Sequence, residues 1–459
     1  MLMTTITGYR PEPGRLVEFR ATAAADRVTG EPLSYLQENH VRRLLANRAA
    51  GRAQSPWLAT VFDLPGEFRP DAMTAALEKW LERHPSLLTY FSLGDGGLRR
   101  HTVVPAGLET VAVGEVADIP GYLHERFDEG TDPLSWPPFV AGAIVREDSA
   151  TVYYAVDHSH TDGYSVMLVF AELRALYEAE VTGIPAVLPE VGSYVDACVQ
   201  ERALAAELTL ESPEARQWLD FWLSGPPPAF PLELDVEPGR FYSSAALDAD
   251  VFDAAEAERF SRACKENGAG FSAGWLTALA ITAYELAGVE QHRGLAVVHT
   301  RDEPRWQSAQ GWFINLGPVA FPVAGREFGS VVAGAQAAFD RAQSLARVSL
   351  LRVAELLPGL DPQGDAAAVP PMVSYLDMRH APGAREWASS NVTALVGPGQ
   401  TADVSMWLNR LAERTYLKAQ YPDTPAARTA VPRYVTHLVE VLREIARTGG
   451  YRLKHPAWL

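Results

Sequence analysis

The stretch Asp157-His158-Ser159-His160-Thr161-Asp162-Gly163 decides how this chain is read. It follows Thr151 to Val156, a run of β-branched and aromatic residues that suits a strand. It precedes Gly163 to Val181, whose apolar run Val166 to Phe170 suits a helix. A strand-to-helix turn presents side chains at the end of a sheet. This one carries two imidazoles and two carboxylates. Imidazole is the natural general base near neutral pH, since its reference pKa is about 6.5. A nearby carboxylate can orient it by hydrogen bonding or close a buried ion pair.

Composition narrows the function classes. The chain has 459 residues, 47% hydrophobic and 21% charged, as an ordinary globular protein does. Forty basic against fifty-seven acidic residues leave a net charge of −17. That argues against broad nucleic-acid or anionic-membrane binding, which needs a positive field. Cys198 and Cys264 are the only cysteines, too few for a disulfide framework or a four-sulfur metal site. Met1 to Arg20 lacks a basic start followed by an apolar stretch, so no signal peptide is expected. No window of about 18 uncharged apolar residues exists, so no membrane span is expected and the default location is cytoplasmic.

Working outward from the turn, Phe139 to Val145 and Thr151 to Val156 flank the polar Glu147-Asp148-Ser149, which reads as a hairpin. Trp57 to Leu64 reads as a strand. Asp71 to His84 reads as an amphipathic helix, with Ala75, Leu77, Trp80 and Leu81 turned inward. Gly225 to Pro231, rich in proline, cannot continue a helix or a central strand and reads as a connector. Beyond it, residues 253–287 are mainly helical, strands fall near 294–300, 319–323, 372–376 and 404–411, and residues 427–447 form a closing helix. The expected organisation is an α/β fold of two mixed-sheet lobes. The expected divisions are an N-terminal lobe at 1–185, connecting helices and linker at 186–235, and a C-terminal lobe at 236–459.

Three readings of the turn compete. It can be a polar turn in which Asp162 caps the following helix. It can be a metal site, because His158-x-His160-x-Asp162 matches the start of the metallo-β-lactamase pattern. Gly163 then stands where that pattern ends in His, and no His occurs between His160 and His292. Zinc needs three or four ligands, so no metal is expected. Thirdly, the turn resembles the His-His-x-x-x-Asp-Gly signature of the condensation-domain and chloramphenicol-acetyltransferase-like superfamily. Asp157 replaces the first His of that signature, a position that looks mainly structural in the family.

The resemblance extends along the chain in order. Pro32-Leu33-Ser34-Tyr35-Leu36-Gln37 resembles the opening motif of condensation domains. Arg83-His84-Pro85-Ser86-Leu87-Leu88-Thr89-Tyr90-Phe91 resembles the Arg-His-x-x-Leu-Arg-Thr-x-Phe motif, with Leu88 in place of Arg. Tyr194-Val195-Asp196 resembles Tyr-x-Asp, and Gly311-Trp312-Phe313-Ile314-Asn315 resembles Gly-x-Phe-x-Asn. Tyr9-Arg10-Pro11-Glu12-Pro13-Gly14 and Val404 to Arg410 lean toward the polyketide-associated acyltransferases of actinobacteria.

The resemblance implies two chloramphenicol-acetyltransferase-like α/β sandwich lobes in a V-shaped pseudo-dimer, with a tunnel between them. It implies acyl transfer from a thioester to an alcohol or amine. His158 falls on the catalytic His, and Asp162 and Gly163 on the terminal pair. Arg301, in His299-Thr300-Arg301-Asp302, falls on the ion-pair partner of Asp162; otherwise it is a surface residue after a strand. Gly163 would keep the channel clear. Ser374 falls on a second-lobe strand that faces the site in relatives and is a candidate oxyanion donor, or else an ordinary strand serine. Asn315 is expected to stabilise a turn or an interlobe contact, His160 to be a satisfied polar residue, and Trp312 and Trp407 to be core.

No cofactor is expected to be permanently bound; the phosphopantetheine arm of the donor enters as substrate. Arg42, Arg43, Arg48 and Arg52 form a basic cluster. Arg42 and Arg43 could pair with that phosphate or with acidic carrier helices, or could simply be a solvated helix face. The favoured function is a free-standing condensation enzyme of secondary-metabolite biosynthesis. It would take an acyl or aminoacyl group from an acyl or peptidyl carrier protein, supplied in trans, to a small-molecule hydroxyl or amine. The alternatives are a coenzyme A-dependent acyltransferase of the polyketide-associated type, making acylated lipids or glycolipids, and a non-catalytic carrier-docking platform.

Overall fold

The computed structural model describes residues 2–52, 54–225, 228–323, 325, 327–357 and 371–454. Pro226 and Pro227 of the expected proline-rich connector lie outside them. The chain divides into two compact units. The first comprises Met1–Ala206, Arg301–Phe313 and His380–Gly399; the second comprises Glu207–Thr300, Ile314–Arg379 and Gln400–Leu459. Each is a mixed sheet with helices, as the two-lobed α/β reading expects. The divisions are not the contiguous ones expected at 185 and 235. Thr393–Val396 pairs with Trp57–Pro65 in the first unit's sheet, and strand pairing decides membership without regard to chain position.

Among the described residues the first unit's sheet has eight strands, in the order Leu2–Thr5, Thr393–Val396, Trp57–Pro65, Ser149–Asp157, Phe139–Val145, Arg15–Val28, Gly97–Glu115 and Thr89–Gly94. Phe139–Val145 and Ser149–Asp157 pair antiparallel, Phe139 opposite Val156, which is the expected hairpin. Both are buried along nearly their whole length, so their sequences are continuously apolar rather than alternating. Gly142 is required there: a Cβ would stand 2.2 Å from the Tyr153 hydroxyl of the neighbouring strand.

Helix Pro70–Arg83 starts with proline at its first position, where no hydrogen bond is lost. It buries Ala72, Met73, Ala76, Leu77, Trp80 and Leu81. Ala75, expected inward, is only half-buried, because the buried stripe runs through positions 72/73, 76/77 and 80/81 and leaves 74 and 75 at its edge. Helix Ser165–Thr182 packs on that helix and on strand Trp57–Pro65, and ends at Gly183 in the left-handed region, φ 74°. Helix Tyr35–Ala49 begins with a reciprocal cap inside the Leu33-Ser34-Tyr35-Leu36-Gln37 motif. Ser34 Oγ accepts the Gln37 N–H at 3.0 Å, and Gln37 Oε1 accepts the Ser34 N–H at 3.1 Å.

Among the described residues the second unit's sheet has seven strands, in the order Ile314–Pro322, Gln291–His299, Met372–Asp377, Ser405–Arg410, Arg414–Pro422, Tyr242–Asp253 and Gln400–Thr401. Helices Ala254–Glu266, Phe271–Ala287, Phe328–Ser344 and Pro425–Thr448 bury Phe260, Trp275, Val332 and Leu438 in one core.

Candidate active site

Asp157 ends a strand, His158 to His160 form one short helical turn, and helix Ser165–Thr182 follows. The loop is pinned through its backbone: the Asp157 N–H donates to Pro138 O at 3.0 Å and the His158 N–H to Pro56 O at 2.8 Å. Gln37 of the opening motif reaches it as well, donating through Nε2 to Ser159 O at 2.7 Å. Arg100, itself buried, donates to Gln37 Oε1 at 3.0 Å.

His158 is half-buried. Its Nδ1 lies 3.0 Å from Thr161 O. A carbonyl only accepts, so Nδ1 carries the proton and the neutral ring leaves Nε2 as a bare acceptor. Burial pushes the imidazole pKa down to about 4, His40 adds to that push, and Asp157 and Asp162 oppose it. The ring is therefore neutral at pH 7. Trp312 lies beside it, ring centroids 4.2 Å apart and planes at 35°.

His160 points elsewhere. It is buried, with Nε2 3.0 Å from Thr89 O, Nδ1 2.9 Å from Ser159 Oγ, and its ring stacked on Phe91 at 5.3 Å. It is the satisfied polar residue the sequence suggests, and it does not converge with His158. Among the described residues no three His, Cys, Asp or Glu side chains are placed to hold a metal ion.

Asp162 both caps the helix and closes an ion pair. Its Oδ1 accepts the N–H groups of Tyr164 at 3.0 Å and Ser165 at 2.6 Å, and its Oδ2 accepts the Phe313 N–H at 2.8 Å. Arg301 Nη2 stands 3.3 Å from both oxygens. Gly163 is half-buried in the turn that follows. The first unit thus brings His158, Asp162, Gly163 and Arg301 together. Ser374 lies buried on strand Met372–Asp377 of the second unit, its Cα in register with Trp407. Asn315, also in the second unit, donates to Ala346 O at 3.0 Å and Val348 O at 2.9 Å and so braces a turn.

The arginines after the opening motif do not make one solvent-facing patch. Arg42 donates through Nε and Nη2 to Glu38 Oε1 at 3.0 and 2.7 Å, Arg48 pairs with Asp132 at 3.1 Å, and Arg52 with Asn47 at 2.6 Å. Arg43 is half-buried; desolvation lowers its pKa and the Asp157 carboxylate partly offsets this.

Two residues escaped the sequence reading. Trp312, expected in the core, is half-buried against His158 and His40. Its place in the Gly311-Trp312 motif was the available signal. Gly311 allows it: a Cβ there would stand 2.3 Å from Tyr194 Cγ, and the Tyr194 hydroxyl donates to Trp312 O at 2.9 Å. His40 contacts Asp157 Oδ2 at 3.2 Å, and nothing local in the sequence marks it. His84 is different. It is buried 2.6 Å from Glu172 Oε2, while Arg83 Nε donates to Glu172 Oε1 at 3.0 Å and Trp80 Nε1 to Oε2 at 2.9 Å. The Arg83-His84 motif thereby ties two helices together.

Comparison with known proteins bears on the chemistry. Residues 31–397 match the condensation domain family. Acyltransferase PapA3 of Mycobacterium tuberculosis is 30% identical over 97% of each chain. A 2'-acyl-2-O-sulfo-trehalose (hydroxy)phthioceranyltransferase, PapA1 of Mycobacterium bovis, is 32% identical over 97% of this chain and 89% of its own. The solved structure of a PapA2 acyl transferase superposes with a TM-score of 0.87 at 30% identity, covering 97% of this chain and 100% of its own. At 20% identity, the X-domain from teicoplanin biosynthesis shares the fold, with a TM-score of 0.70 over 94% of this chain and 98% of its own. The chain belongs to the condensation-domain family and is an acyltransferase similar to the PapA enzymes of mycobacteria.

Proposed function

We propose that this enzyme transfers an acyl group from a coenzyme A thioester to a hydroxyl of a trehalose-type carbohydrate, forming an ester of the glycolipid class. The observation that carries the reading is His158: a neutral imidazole whose Nδ1–H is committed to Thr161 O at 3.0 Å, so that Nε2 is the proton acceptor. Nε2 takes the hydroxyl proton as the oxygen attacks the thioester carbonyl. The tetrahedral intermediate collapses, the C–S bond breaks, and the imidazolium returns the proton to the leaving thiolate. No covalent enzyme intermediate is needed, and placing both substrates in one site supplies much of the rate. Asp162 and Arg301 hold the loop and stay out of the chemistry.

The acceptor and donor classes rest on similarity. Relatives matching nearly the whole chain are named for acyl transfer to sulfated trehalose. That favours a carbohydrate acceptor in lipid assembly over the aminoacyl chemistry of secondary metabolism. Arg42, committed to Glu38, and the half-buried Arg43 offer a carrier protein little exposed cation.

The test is a product assay with one labelled long-chain acyl group presented on coenzyme A and on phosphopantetheinylated carrier protein, with trehalose and trehalose-2-sulfate as acceptors and His158→Ala as control. Ester formed from the coenzyme A thioester and lost in the control is the expected result. Turnover from the carrier thioester alone overturns the donor assignment. Turnover of neither acceptor overturns the acceptor class.

A further inference from the structure

Asp157 occupies the first position of the catalytic turn and is fully buried. A carboxylate taken out of water costs several kcal/mol unless it is paired and hydrogen-bonded. Its Oδ1 accepts the Ser159 N–H at 2.8 Å and the Ser159 hydroxyl at 2.5 Å. Its Oδ2 faces Nε2 of His40 at 3.2 Å, 117 residues distant in the chain. This network holds the carboxyl below the usual Asp range, because His40 and the hydrogen bonds outweigh the desolvation that would raise it.

His40 projects from helix Tyr35–Ala49 and is 4% exposed. Its Nδ1 is buried and has no hydrogen-bond partner among the described residues. Its ring centroid is 6.3 Å from that of His158 and 5.5 Å from that of Trp312, which it meets edge-on. Asp157, His40, Trp312 and His158 therefore form one contiguous cluster, in which the His40 ring neighbours the carboxylate, the indole and the reactive imidazole. The other charged or titratable groups around it are Asp162, paired with Arg301, and His160 and Arg43, which both sense Asp157. Burial and the neighbouring His40 oppose protonation of His158, and both carboxylates favour it.

We propose that His40 is a positioning residue for the acyl transfer: anchored on Asp157, it braces the turn that carries His158 and holds that imidazole in its proton-accepting form. The inference rests on reading His158 as the general base. It adds a distant helix and a second imidazole to the machinery.

Two variants separate this from a merely structural role. His40→Gln keeps an N–H donor for Asp157 and removes the imidazole. Asp157→Asn removes the opposing charge and leaves His40 in place. The titration midpoint of His158 is read by NMR on the full chain with labelled histidine, its signal assigned by its loss in His158→Ala. From a starting value of about 4, the midpoint is expected to rise in His40→Gln by about one pH unit, a tenfold gain in proton affinity. In Asp157→Asn it is expected to fall. With substrates, His40→Gln is expected to lower kcat at pH 5 relative to pH 8 more than wild type does, with KM unchanged. An unmoved midpoint in His40→Gln overturns the inference, as do shifts of one sign in both variants. If Asp157→Asn does not fold, His40→Gln alone decides. The titration uses no substrate, so failure of the acyl-transfer assay leaves it readable.

Discussion

Arg301 Nη2 stands 3.3 Å from both carboxylate oxygens of Asp162, 139 residues earlier in the chain, with the two side chains 4% and 3% exposed. The same guanidinium donates through Nη1 to Trp306 O at 2.6 Å and Ala309 O at 2.8 Å, and through Nη2 to Ser165 Oγ at 2.6 Å. One planar cation thus joins the Asp157–Gly163 turn, the following helix and the Arg301–Phe313 segment. Arg301→Met leaves Asp162 buried without a counter-charge and is expected to cost about 3–5 kcal/mol in urea unfolding. Arg301→Lys is expected to recover little, since one ammonium cannot reproduce the fork that spans two carbonyls and a carboxylate.

His158 is half-buried and its ring makes one backbone hydrogen bond, so the fold leans on it lightly. His158→Ala is expected to lower kcat/KM by about 10²–10⁴-fold with an unchanged Tm. Wild-type turnover in this variant would remove the imidazole from the mechanism.

Trp312 sets one wall of the space beside His158, with ring centroids 4.2 Å apart. Trp312→Phe keeps an aromatic wall and is expected to retain most activity. Trp312→Ala frees the imidazole to reorient and is expected to lower kcat by up to about 100-fold, as small misplacements of reacting groups do. Parallel thermal melts separate this from unfolding.

Gly311→Ala tests why that motif begins with glycine. A Cβ would meet Tyr194 Cγ at 2.3 Å, and Tyr194 is itself buried. Overpacking of this kind is expected to cost about 1–3 kcal/mol, read as a lower denaturation midpoint.

Acid should destabilise the fold through its buried imidazoles. Burial first, with smaller opposing charges, lowers the pKa of both His158 and His160 to about 4, against 6.5 unfolded. Between those values the unfolded chain binds more protons, so stability is complete above about pH 6.5 and falls as pH drops toward 4. Glu201 has the opposite sign. Burial raises it to about 7, so its stabilisation is present below pH 4.5 and is lost as pH rises through 7. Denaturation from pH 4.5 to 8 is expected to show a shallower acid limb in His160→Gln and a flatter neutral limb in Glu201→Gln.

Much of the fold was legible because its signals are local. The apolar runs Phe139–Val145 and Ser149–Asp157 and the amphipathic stripe of helix Pro70–Arg83 each act over a few residues, and each of these elements appears within two residues of its expected bounds. The Asp157–Gly163 turn was legible for the same reason. An imidazole between a buried strand and a capped helix is a short-range pattern.

What the amino-acid sequence by itself determined is the turn, the elements that flank it and the family they identify. What only the tertiary structure decided is which distant groups complete it: His40 against Asp157, Trp312 against His158, and the membership of Arg301–Phe313 and His380–Gly399 in the first unit. Those choices depend on where strands pair and which buried charges find partners. Both are settled by contacts between residues more than a hundred positions apart, for which no local periodicity carries a signal.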